Sequence, residues 1–519
     1  MAQHDHTIQI AVPEGPCVGS SVEVVYLGLD KPRLDAIRRS ASDLIAAMFD
    51  ASLSAPHCDC VWPLIDAVWP ARSTNAYREF PSDRITLTLV PLSRIGQMEG
   101  KSGSLVLIGC FGDSQNKEIP PSHPVVVKTA PKFTGKLQDA YGNALMIRPF
   151  AYEHKDVFSI PFRKAVQGDF DVLWSIFSAS GPLWQESVQG LNALDHWKVS
   201  DLRDPLQKNN VHIVSQVLQA TYATMRNLHV PFGRRKRSNR NVIVEYEWYL
   251  RGLGRIWGAE WEAVFGLPTA STTQFAGREW ANPLWLVEKL KEVSCDFAIG
   301  AVHGDLHPGN VVIASENQPR IIDFGWAQDD AHIAKDFVLM ECNLRFLFLH
   351  PQLASDEVDR LAGWIQWGAE APDRLTPYCN DRCSLIRVLR GHAREVLGEQ
   401  ADWNREYLLP LFIVAFGLLR FAPQLGNQQA AILTVVALAT HMLAKEHQRP
   451  IVVVDALMTH EVRSFPFLDN VPKLRWNDNP QDGIDLLLKE TLRHLHTKAV
   501  LESSRRPGDT VFLRPPEPC

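Results

Sequence analysis

The sequence has no apolar run long enough to cross a bilayer. Its two most apolar segments, 407–419 and 430–443, fall well short of the ~20 residues that a membrane-spanning helix needs. The first residues lack the basic and apolar regions of a secretory signal, so export is not expected. Nine scattered cysteines in 519 residues do not suggest a disulfide framework. We therefore expect a cytoplasmic protein without a membrane partner, in which both apolar segments are buried helices.

The sequence also lacks a strong excess of charge, with 53 Lys and Arg against 59 Asp and Glu and a net charge of -6. This balance gives the whole molecule no electrostatic attraction to nucleic acid. One basic run, RRKR at 234–237, has no interleaved aromatic residues that could stack on bases. We interpret the run as a solvated loop and predict no nucleic-acid partner. The remaining composition, 45% hydrophobic and 22% charged, is typical of a globular protein with a large core.

Hydrophobic patterning changes along the chain from strand-like to helical. Alternating or β-branched runs predict strands at 22–27, 85–90, 105–110, 124–130, 157–162 and 170–177. Helical spacing predicts helices at 33–48, 136–147, 211–228, 244–265 and 283–293. Asn282 and Pro283 are suited to the N-cap and first turn of the last of these helices. A sheet-rich part followed by a helical part, 211–444, predicts an α+β fold.

These patterns divide the chain into four predicted parts. Residues 1–80 form an N-terminal extension that no motif identifies. Residues 81–190 form a sheet-rich lobe, and residues 191–449 form a helical lobe. Residues 450–519 form a C-terminal α/β segment with a tail rich in Pro and Arg.

The most informative segment is 303–325, which contains HGDLHPGN at 303–310 and Asp-Phe-Gly at 323–325. Asp305 and Asn310 lie on one loop, and Asp323 follows a strand-like run. The runs 311–314 and 320–322 predict a short hairpin that brings these three polar residues to one end. Phosphoryl transfer requires a carboxylate that orients the attacking hydroxyl. It also requires a metal, and Mg²⁺ prefers the oxygen ligands that Asn and Asp offer.

This segment resembles the catalytic and metal-binding motifs of the aminoglycoside/choline phosphotransferase family. It is also similar to the phosphotransferase-like ternary-complex-associated domains of bacterial conflict systems. The resemblance is specific over 303–325 and diffuse over roughly 84–444. It implies a bilobal protein-kinase-like fold with an antiparallel β lobe and a helical lobe. It further implies that Asp305 is the catalytic base and that Asn310 and Asp323 are magnesium ligands.

The same resemblance implies supporting roles for two further residues. His303 would hold the loop in place, and Asp336 would support the loop from a later position. For Asp336, the alternative is a carboxylate stabilised by the dipole at the start of a helix. For His307, a histidine whose hydrogen bonds are satisfied within the loop is at least as well founded as a catalytic group.

A second anchor for the nucleotide is Lys128, which follows three valines at 125–127. This pattern matches the strand that offers a lysine to the α- and β-phosphates in kinase folds. The preceding loop, 96–104, contains Gly100 and Gly103, whose backbone N–H groups could approach phosphate oxygens. The loop departs from the protein-kinase pattern G-x-G-x-x-G, so a plain hairpin turn is the alternative.

Kinase folds place an acidic partner for this lysine on the next helix. Residues 144–147, where that partner is expected, are apolar. Asp139 is the first candidate and Glu153 the second. The missing acidic residue leaves open an unusual or inactive nucleotide site.

The predicted function is an ATP-dependent phosphotransferase of a bacterial conflict system, with ATP and Mg²⁺ as cofactors and a small-molecule hydroxyl as acceptor. The alternative is a nucleotide-binding regulatory module, like a pseudokinase, which acts through protein partners bound by 1–80 and 450–519. A protein kinase is disfavoured because Gly304 stands where those enzymes carry the arginine of H-R-D. No Ala-Pro-Glu follows Asp323, and 325–336 is too short to dock a peptide.

Overall fold

The structure is a computed structural model of mixed helix and sheet. It describes residues 6–11, 31–49, 84–91, 104–113, 125–151, 157–176, 200–250, 259–314, 317–365, 372, 375–419 and 427–444. Among the predictions, the strand at 22–27, the loop glycines Gly100 and Gly103, the second candidate Glu153 and the segment 450–519 lie outside these residues.

The secondary structure alternates between short strands and helices. The strands are β1 (His6–Ala11), β2 (Arg84–Pro91), β3 (Leu105–Asp113), β4 (Val125–Pro131), β5 (Pro161–Gln167), β6 (Phe170–Ile176), β7 (Ser200–Asp201), β8 (Lys236–Asn241), β9 (Thr272–Phe275), β10 (Arg278–Ala281), β11 (Ser294–Val302), β12 (Val311–Ile313), β13 (Pro319–Ile321) and β14 (Gln328–His332). The helices are α1 (Lys31–Phe49), α2 (Lys136–Ala151), α3 (Arg203–Gln207), α4 (Val211–His229), α5 (Val242–Glu245), α6 (Glu247–Leu250), α7 (Ala259–Phe265), α8 (Pro283–Leu290), α9 (Lys335–Cys342), α10 (Ser355–Gly363), α11 (Pro377–Leu397), α12 (Leu409–Leu418) and α13 (Gln428–Ala444).

The chain divides into two compact units, each assembled from two stretches of sequence. The first unit consists of Met1–Arg234 and Gly300–Asp330, and the second of Arg235–Ile299 and Ala331–Cys519. These two units do not test the domain boundaries predicted at 80, 190 and 449, so those boundaries stay predictions. The loop 303–310 and the hairpin that follows it belong to the first unit, together with the strand that carries Lys128.

The first unit is built on a six-stranded antiparallel sheet in the order β1-β2-β3-β4-β6-β5. The predicted strands at 85–90, 105–110, 124–130 and 170–177 are confirmed as β2, β3, β4 and β6. The strand predicted at 157–162 begins later, as β5. Strand β1, from the N-terminal extension, pairs with β2 at the edge of the sheet, with His6 opposite Leu89.

Helices cover both faces of this sheet. On β6, the buried Trp174 donates a hydrogen bond from Nε1 to Ser40 Oγ of α1, at 2.7 Å. Its neighbour Leu173 belongs to a cluster with Leu137 of α2. Because successive residues of a strand point to opposite faces, α1 and α2 lie on opposite sides of the sheet. The predicted helices at 33–48 and 136–147 are thus confirmed, and each has a buried stripe against the sheet.

A small second sheet of the first unit adjoins the loop 303–310. Strands β12 and β13 pair in antiparallel register, with Val311 opposite Ile321, which confirms the predicted hairpin. Strand β7 pairs with the other edge of β12, with Asp201 opposite Val312. A parallel bridge joins Phe158 to Ile321 on the outer side of β13. The hairpin is therefore fixed along both edges.

The basic run at 234–237 is exposed, as predicted, but only its first two residues lie in a loop. Residues from Lys236 onward form β8, which pairs with β11 of the second unit. Arg235 donates to the carbonyl oxygens of Val396 and Glu395, at 3.0 and 2.7 Å, near the C-terminus of α11. Exposed carbonyls at a helix end attract cations, so this arginine caps the helix. Arg237 pairs with the buried Glu406 at 2.8 Å.

The second unit contains the helices predicted from the apolar segments 407–419 and 430–443. They correspond to α12, which follows a π-helical turn at Asn404–Leu408, and to α13. Residues 409–417 are all buried. Within the described part of the chain, no helix combines the length and hydropathy needed to cross a membrane.

The helix predicted at 244–265 is interrupted. In its place the structure has two single turns, α5 and α6, and later α7. Tyr246 separates the two turns, and its hydroxyl lies 2.7 Å from Nδ1 of the buried His332. The side chain of Asn241 accepts a hydrogen bond from Val244 N, and α5 begins two residues earlier than the apolar pattern indicates. The helix predicted at 283–293 is confirmed as α8, with Asn282 as its N-cap.

A buried charged cluster centred on Glu341 joins helices of the second unit. Glu341 of α9 accepts hydrogen bonds from Arg345 at 2.7 Å and from Arg390 at 2.7 and 2.9 Å. Tyr407 donates to the same carboxylate at 2.6 Å. Burial raises the pKa of Glu341, but the two arginines and the hydrogen bonds outweigh burial and lower it to about 2. Glu341 is therefore ionised and links four helical segments.

Candidate functional site

The loop after β11 requires a glycine at position 304. Gly304 has φ +79°, in the left-handed region that glycine adopts without steric penalty. A Cβ built on Gly304 would lie 2.2 Å from the carbonyl oxygen of Trp326. This is far below van der Waals contact, so any side chain here would displace the backbone after the Asp-Phe-Gly motif. The glycine therefore brings the two motifs of the sequence into direct backbone contact.

His303 ties the catalytic loop to the hairpin. Its side chain is buried, and Nε2 lies 2.8 Å from the carbonyl oxygen of Ile322. Nδ1 accepts a hydrogen bond from Asp305 N at 3.3 Å, so the hydrogen-bond pattern assigns the ring proton to Nε2. The imidazole also lies 4.8 Å from the Phe324 ring, centroid to centroid. These contacts suit the supporting role that the sequence assigns to His303.

Asn310 is oriented by the loop that contains it. Its Nδ2 donates to the backbone carbonyl of Asp305 at 2.8 Å, across a 3₁₀ turn formed by Pro308–Asn310. The carbonyl oxygen of Asn310 accepts from Ile322 N at 3.0 Å, next to Asp323. The amide nitrogen is engaged by the loop, and Asn310 Oδ1 accepts no hydrogen bond from the described residues. This orientation suits a metal-ligating oxygen.

His307 begins the 3₁₀ turn. Its Nδ1 accepts a hydrogen bond from Gly309 N at 3.0 Å, and its Nε2 lies 3.9 Å from Asp305 Oδ2. Burial, followed by the nearby His303 and Arg203, lowers the pKa of His307 to about 4. The imidazole is therefore neutral at pH 7, with its proton on Nε2 facing the Asp305 carboxylate. These contacts fit the first of the two predicted alternatives, a histidine whose hydrogen bonds are satisfied within the loop.

Asp305 projects from this loop with its side chain 29% exposed. Its backbone is fixed on both sides, since its N–H donates to His303 and its carbonyl oxygen accepts from Asn310. The Asp305 carboxylate is therefore positioned by its backbone and reachable from solvent.

Asp323 directly follows the hairpin in a strained conformation. Its φ is +63°, which is uncommon for a residue other than glycine and costs of order 1–3 kcal/mol. Desolvation by the surrounding protein raises the pKa of Asp323, but the charge and hydrogen bonds of Lys128 outweigh it and hold the pKa below its usual value. The carboxylate is thus ionised at neutral pH, as a ligand for a cation must be.

Lys128 and Asp323 are paired although 195 residues separate them in sequence. The Lys128 Nζ atom lies 3.1 Å from both carboxylate oxygens of Asp323. Lys128 is opposite Leu173 in the β4–β6 register, and residues opposite each other share a face of the sheet. Lys128 therefore lies on the face covered by α2. Lys128 thus pairs directly with Asp323, and the Asn310 backbone is bonded to Ile322, the residue before Asp323. Asp305 lies on the same loop as Asn310, and all four residues belong to the first unit.

The predicted pairing of Lys128 with Asp139 is wrong. Asp139 is exposed in the first turn of α2, and its carboxylate lies near Gly135, at the start of that helix. Within the described residues, Lys128 forms its ion pair with Asp323. Asp139 instead stabilises α2, because a carboxylate in the first turn of a helix interacts favourably with the helix dipole. Glu153, the second candidate, lies outside the described residues.

Asn143 is a site residue that sequence reasoning did not identify. Its Nδ2 donates to the carbonyl oxygen of Gly325 at 2.6 Å. Helix α2 is therefore tied to the Asp-Phe-Gly segment by an amide and a backbone carbonyl. Because the partner is backbone, no complementary side chain in the sequence signals this contact.

Arg203 and Asp201 were also not identified from the sequence. Arg203 Nε donates to both carboxylate oxygens of Asp201, at 2.9 and 3.0 Å. The Arg203 guanidinium carbon lies 3.3 Å from the position a Cβ on Gly309 would occupy. The backbone N–H of Leu202, between them, donates to the carbonyl oxygens of Pro308 and Val311. Strand β7, which includes Asp201, and strand β13 lie on opposite edges of β12. Residues 201–203 therefore support the loop 303–310 from the side away from β13.

Asp336, the second predicted support, is fully buried in the first turn of α9 in the second unit. The position fits the alternative of a carboxylate stabilised at a helix N-terminus. Its predicted role toward the catalytic loop remains a prediction.

The residues present suit Mg²⁺ held jointly with phosphate rather than a metal site made by protein alone. Among the described residues, no group of three or more His, Cys, Asp or Glu side chains could hold a metal ion. Mg²⁺ is commonly bound through one or two protein oxygens, with phosphates and water completing its shell. Asp323 and Asn310 offer such oxygens, and the Asp323 carboxylate is ionised.

Comparison with known proteins shows a similarity over part of the chain. No curated protein matches the chain. Residues 209–420, which include the catalytic loop and the Asp-Phe-Gly segment, match the family model of ternary complex associated domain 9.

Proposed function

We propose that the chain is an ATP-dependent phosphotransferase with a bilobal kinase-like fold, which transfers the γ-phosphoryl group to a small-molecule hydroxyl. The observation that carries this proposal is the pairing of Lys128 with Asp323 beside the loop that contains Asp305 and Asn310. Two segments that are distant in sequence, the strand with Lys128 and the segment 303–325, meet with the residue types that phosphoryl transfer uses. The match to ternary complex associated domain 9 supports a place in a bacterial conflict system.

Each residue of the site has a role in this proposal. Asp305 accepts the proton of the acceptor hydroxyl, since its carboxylate is exposed and its backbone is fixed. Asn310 Oδ1 and the Asp323 carboxylate hold the metal, and Lys128 binds phosphate oxygens. Mg·ATP, when bound, supplies the phosphoryl group and neutralises the charge on its phosphates. His303 and Asn143 keep the loop and the Asp-Phe-Gly segment in position.

Gly304 argues against protein substrates. Protein kinases carry an arginine at this position, but the Trp326 carbonyl leaves no space for a Cβ at residue 304. The loop is therefore built on a different backbone arrangement, and a small-molecule acceptor fits better than a peptide.

A second candidate function is a nucleotide-binding regulatory module that acts through protein partners. Two observations favour it. Lys128 has no acidic partner on the described part of α2, and the matched family is named for association in a ternary complex. In this proposal the residues of the site bind nucleotide with little or no turnover.

Substitution of Asp305 separates the two functions without knowledge of the acceptor. We expect Asp305→Asn to retain Mg·ATP binding, because this carboxylate serves the acceptor rather than the nucleotide. ATP hydrolysis or phosphoryl transfer should fall by ~10²–10⁴, the usual contribution of a positioned general base. The measurement is phosphate release from radiolabelled ATP by the full chain.

The matched control is Asp169→Asn, which makes the same chemical change at an exposed position in the turn between β5 and β6. It should retain wild-type turnover. If wild type and Asp305→Asn show equal turnover while both bind Mg·ATP, the enzyme proposal is wrong and the regulatory module remains.

A further inference from the structure

Lys128 occupies the space beside Asp323 that a metal ion would need. Its Nζ atom is equidistant, at 3.1 Å, from both carboxylate oxygens. The two side chains are partly open, 21% and 45% exposed, so ions can approach them. A cation that contacts both oxygens symmetrically neutralises the carboxylate, and a second cation would meet the like charge of the ammonium.

The loop around Asp323 is held in place by hydrogen bonds to its backbone. Asn143 Nδ2 donates to Gly325 O at 2.6 Å, two residues beyond Asp323. Ile322 N donates to Asn310 O at 3.0 Å, one residue before it. Hydrogen bonds to the backbone on both sides therefore hold the main chain of Asp323 in place. Separation of the pair requires movement of the flexible lysine side chain rather than of the loop.

We propose that Lys128 acts as an internal counter-cation that keeps divalent metal away from Asp323 until a polyphosphate draws the ammonium group away. The proposal rests on the proposed function, because it takes Asp323 as the metal ligand. A polyphosphate offers the ammonium several anionic oxygens in exchange for one carboxylate. Once Lys128 has moved to the phosphates, the metal can bridge the carboxylate and the same phosphates. The site then binds metal and polyphosphate together, and binds free metal poorly.

Binding of Mn²⁺ to the full chain, followed by the EPR signal of the free ion, tests this proposal. Lys128→Met should bind free Mn²⁺ about tenfold or more tightly than wild type, because it removes the like charge beside the ligand. Lys128→Gln, which keeps a polar side chain, should show the same direction. Asp323→Asn should remove the gain in either background.

A matched control is Lys208→Met, which breaks an exposed ion pair with Asp204 in the same unit and should leave Mn²⁺ affinity unchanged. A second measurement needs no variant: inorganic triphosphate should increase the Mn²⁺ affinity of the wild-type chain. This increase is measured relative to Mn²⁺ binding by triphosphate alone, and it should be smaller in Lys128→Met.

Equal affinity of wild type and both Lys128 variants for free Mn²⁺ would overturn the proposal. Binding of Mn·ATP by wild type in that case would leave the proposed function standing. A gain of free Mn²⁺ binding in the Lys128 variants, without Mn·ATP binding by wild type, would support the counter-cation and contradict the proposed nucleotide site.

Discussion

Two residues of the site, Gly304 and Asp323, have a positive φ. They differ in whether the residue type removes the backbone strain. Gly304 has φ +79° and no space for a side chain, whereas Asp323 has φ +63° and must keep its carboxylate. For Gly304 the residue type removes the strain, because glycine has no Cβ. For Asp323 the strain is retained, and the hydrogen bonds of its neighbours Ile322 and Gly325 hold the conformation.

Gly304→Ala should therefore destabilise the protein by about 2 kcal/mol or more, since it combines a left-handed alanine with a clash against the Trp326 carbonyl. The measurement is the free energy of unfolding in denaturant. Gly142→Ala, on α2, is the control, because a Cβ at Gly142 meets no atom within 4 Å. This control should stabilise the helix by about 0.5–1 kcal/mol. Equal effects of the two substitutions would contradict the steric account of the motif.

Some residues of the site could be predicted from the sequence, and others could not, for physical reasons. The motif at 303–325 and its resemblance to phosphotransferases predicted Asp305, Asn310 and Asp323, and the valine run before Lys128 predicted the lysine. The pairing of Lys128 was predicted wrongly, because the partner comes from a residue 195 positions away rather than from the next helix.

At the scale of elements, the sheet of the first unit is stabilised from both faces. Strand β6 sends Trp174 toward α1 and Leu173 toward α2. Residues 1–80 thus supply a strand and a helix to the unit that holds Lys128. The sequence predicted α1 correctly from its helical spacing. Its attachment could not be predicted, since a serine in a helix does not reveal a distant indole partner.

Ser40→Ala should destabilise the protein by about 1–3 kcal/mol, because it leaves the buried Trp174 N–H without an acceptor. Ser42→Ala, on the same helix, is the matched control. Ser42 Oγ bonds only to the carbonyl oxygen of Arg38 among the described residues, and alanine is a good helix former. Chemical denaturation should show a change within about 0.5 kcal/mol for the control. A loss for Ser42→Ala as large as that for Ser40→Ala would contradict the proposed packing of α1.

Strand β8 shows why local patterns misassign charged elements. The basic run at 234–237 has no apolar alternation, so its sequence indicates a loop. The strand forms because β11 offers a complete antiparallel partner, from Ser294 opposite Asn241 to Ile299 opposite Lys236. Arg235, just before the strand, caps a helix end, and Arg237 pairs with the buried Glu406. These partners are distant in sequence, and a single-sequence pattern contains no information about them.

At the scale of the whole molecule, each unit is assembled from two separate stretches of chain. Gly300–Asp330 joins the first unit and brings the catalytic loop to the sheet that carries Lys128. Composition and linkers mark boundaries only where the chain leaves a domain once, so the sequence could not reveal this arrangement. The proposed site is consequently internal to one unit, and its geometry rests on the hydrogen bonds described for that unit.

The most direct test of the account is whether Mg·ATP stabilises the folded full chain through Asp323. A ligand that binds only the folded state stabilises it by about 2.7 kcal/mol at a hundredfold excess over its dissociation constant. We expect Mg·ATP to raise the melting temperature of wild type, and ATP with a chelator to raise it much less. Asp323→Ala should abolish the Mg·ATP effect, because the metal loses its carboxylate ligand. No rise in wild type, or an equal rise in Asp323→Ala, would contradict the proposed nucleotide site.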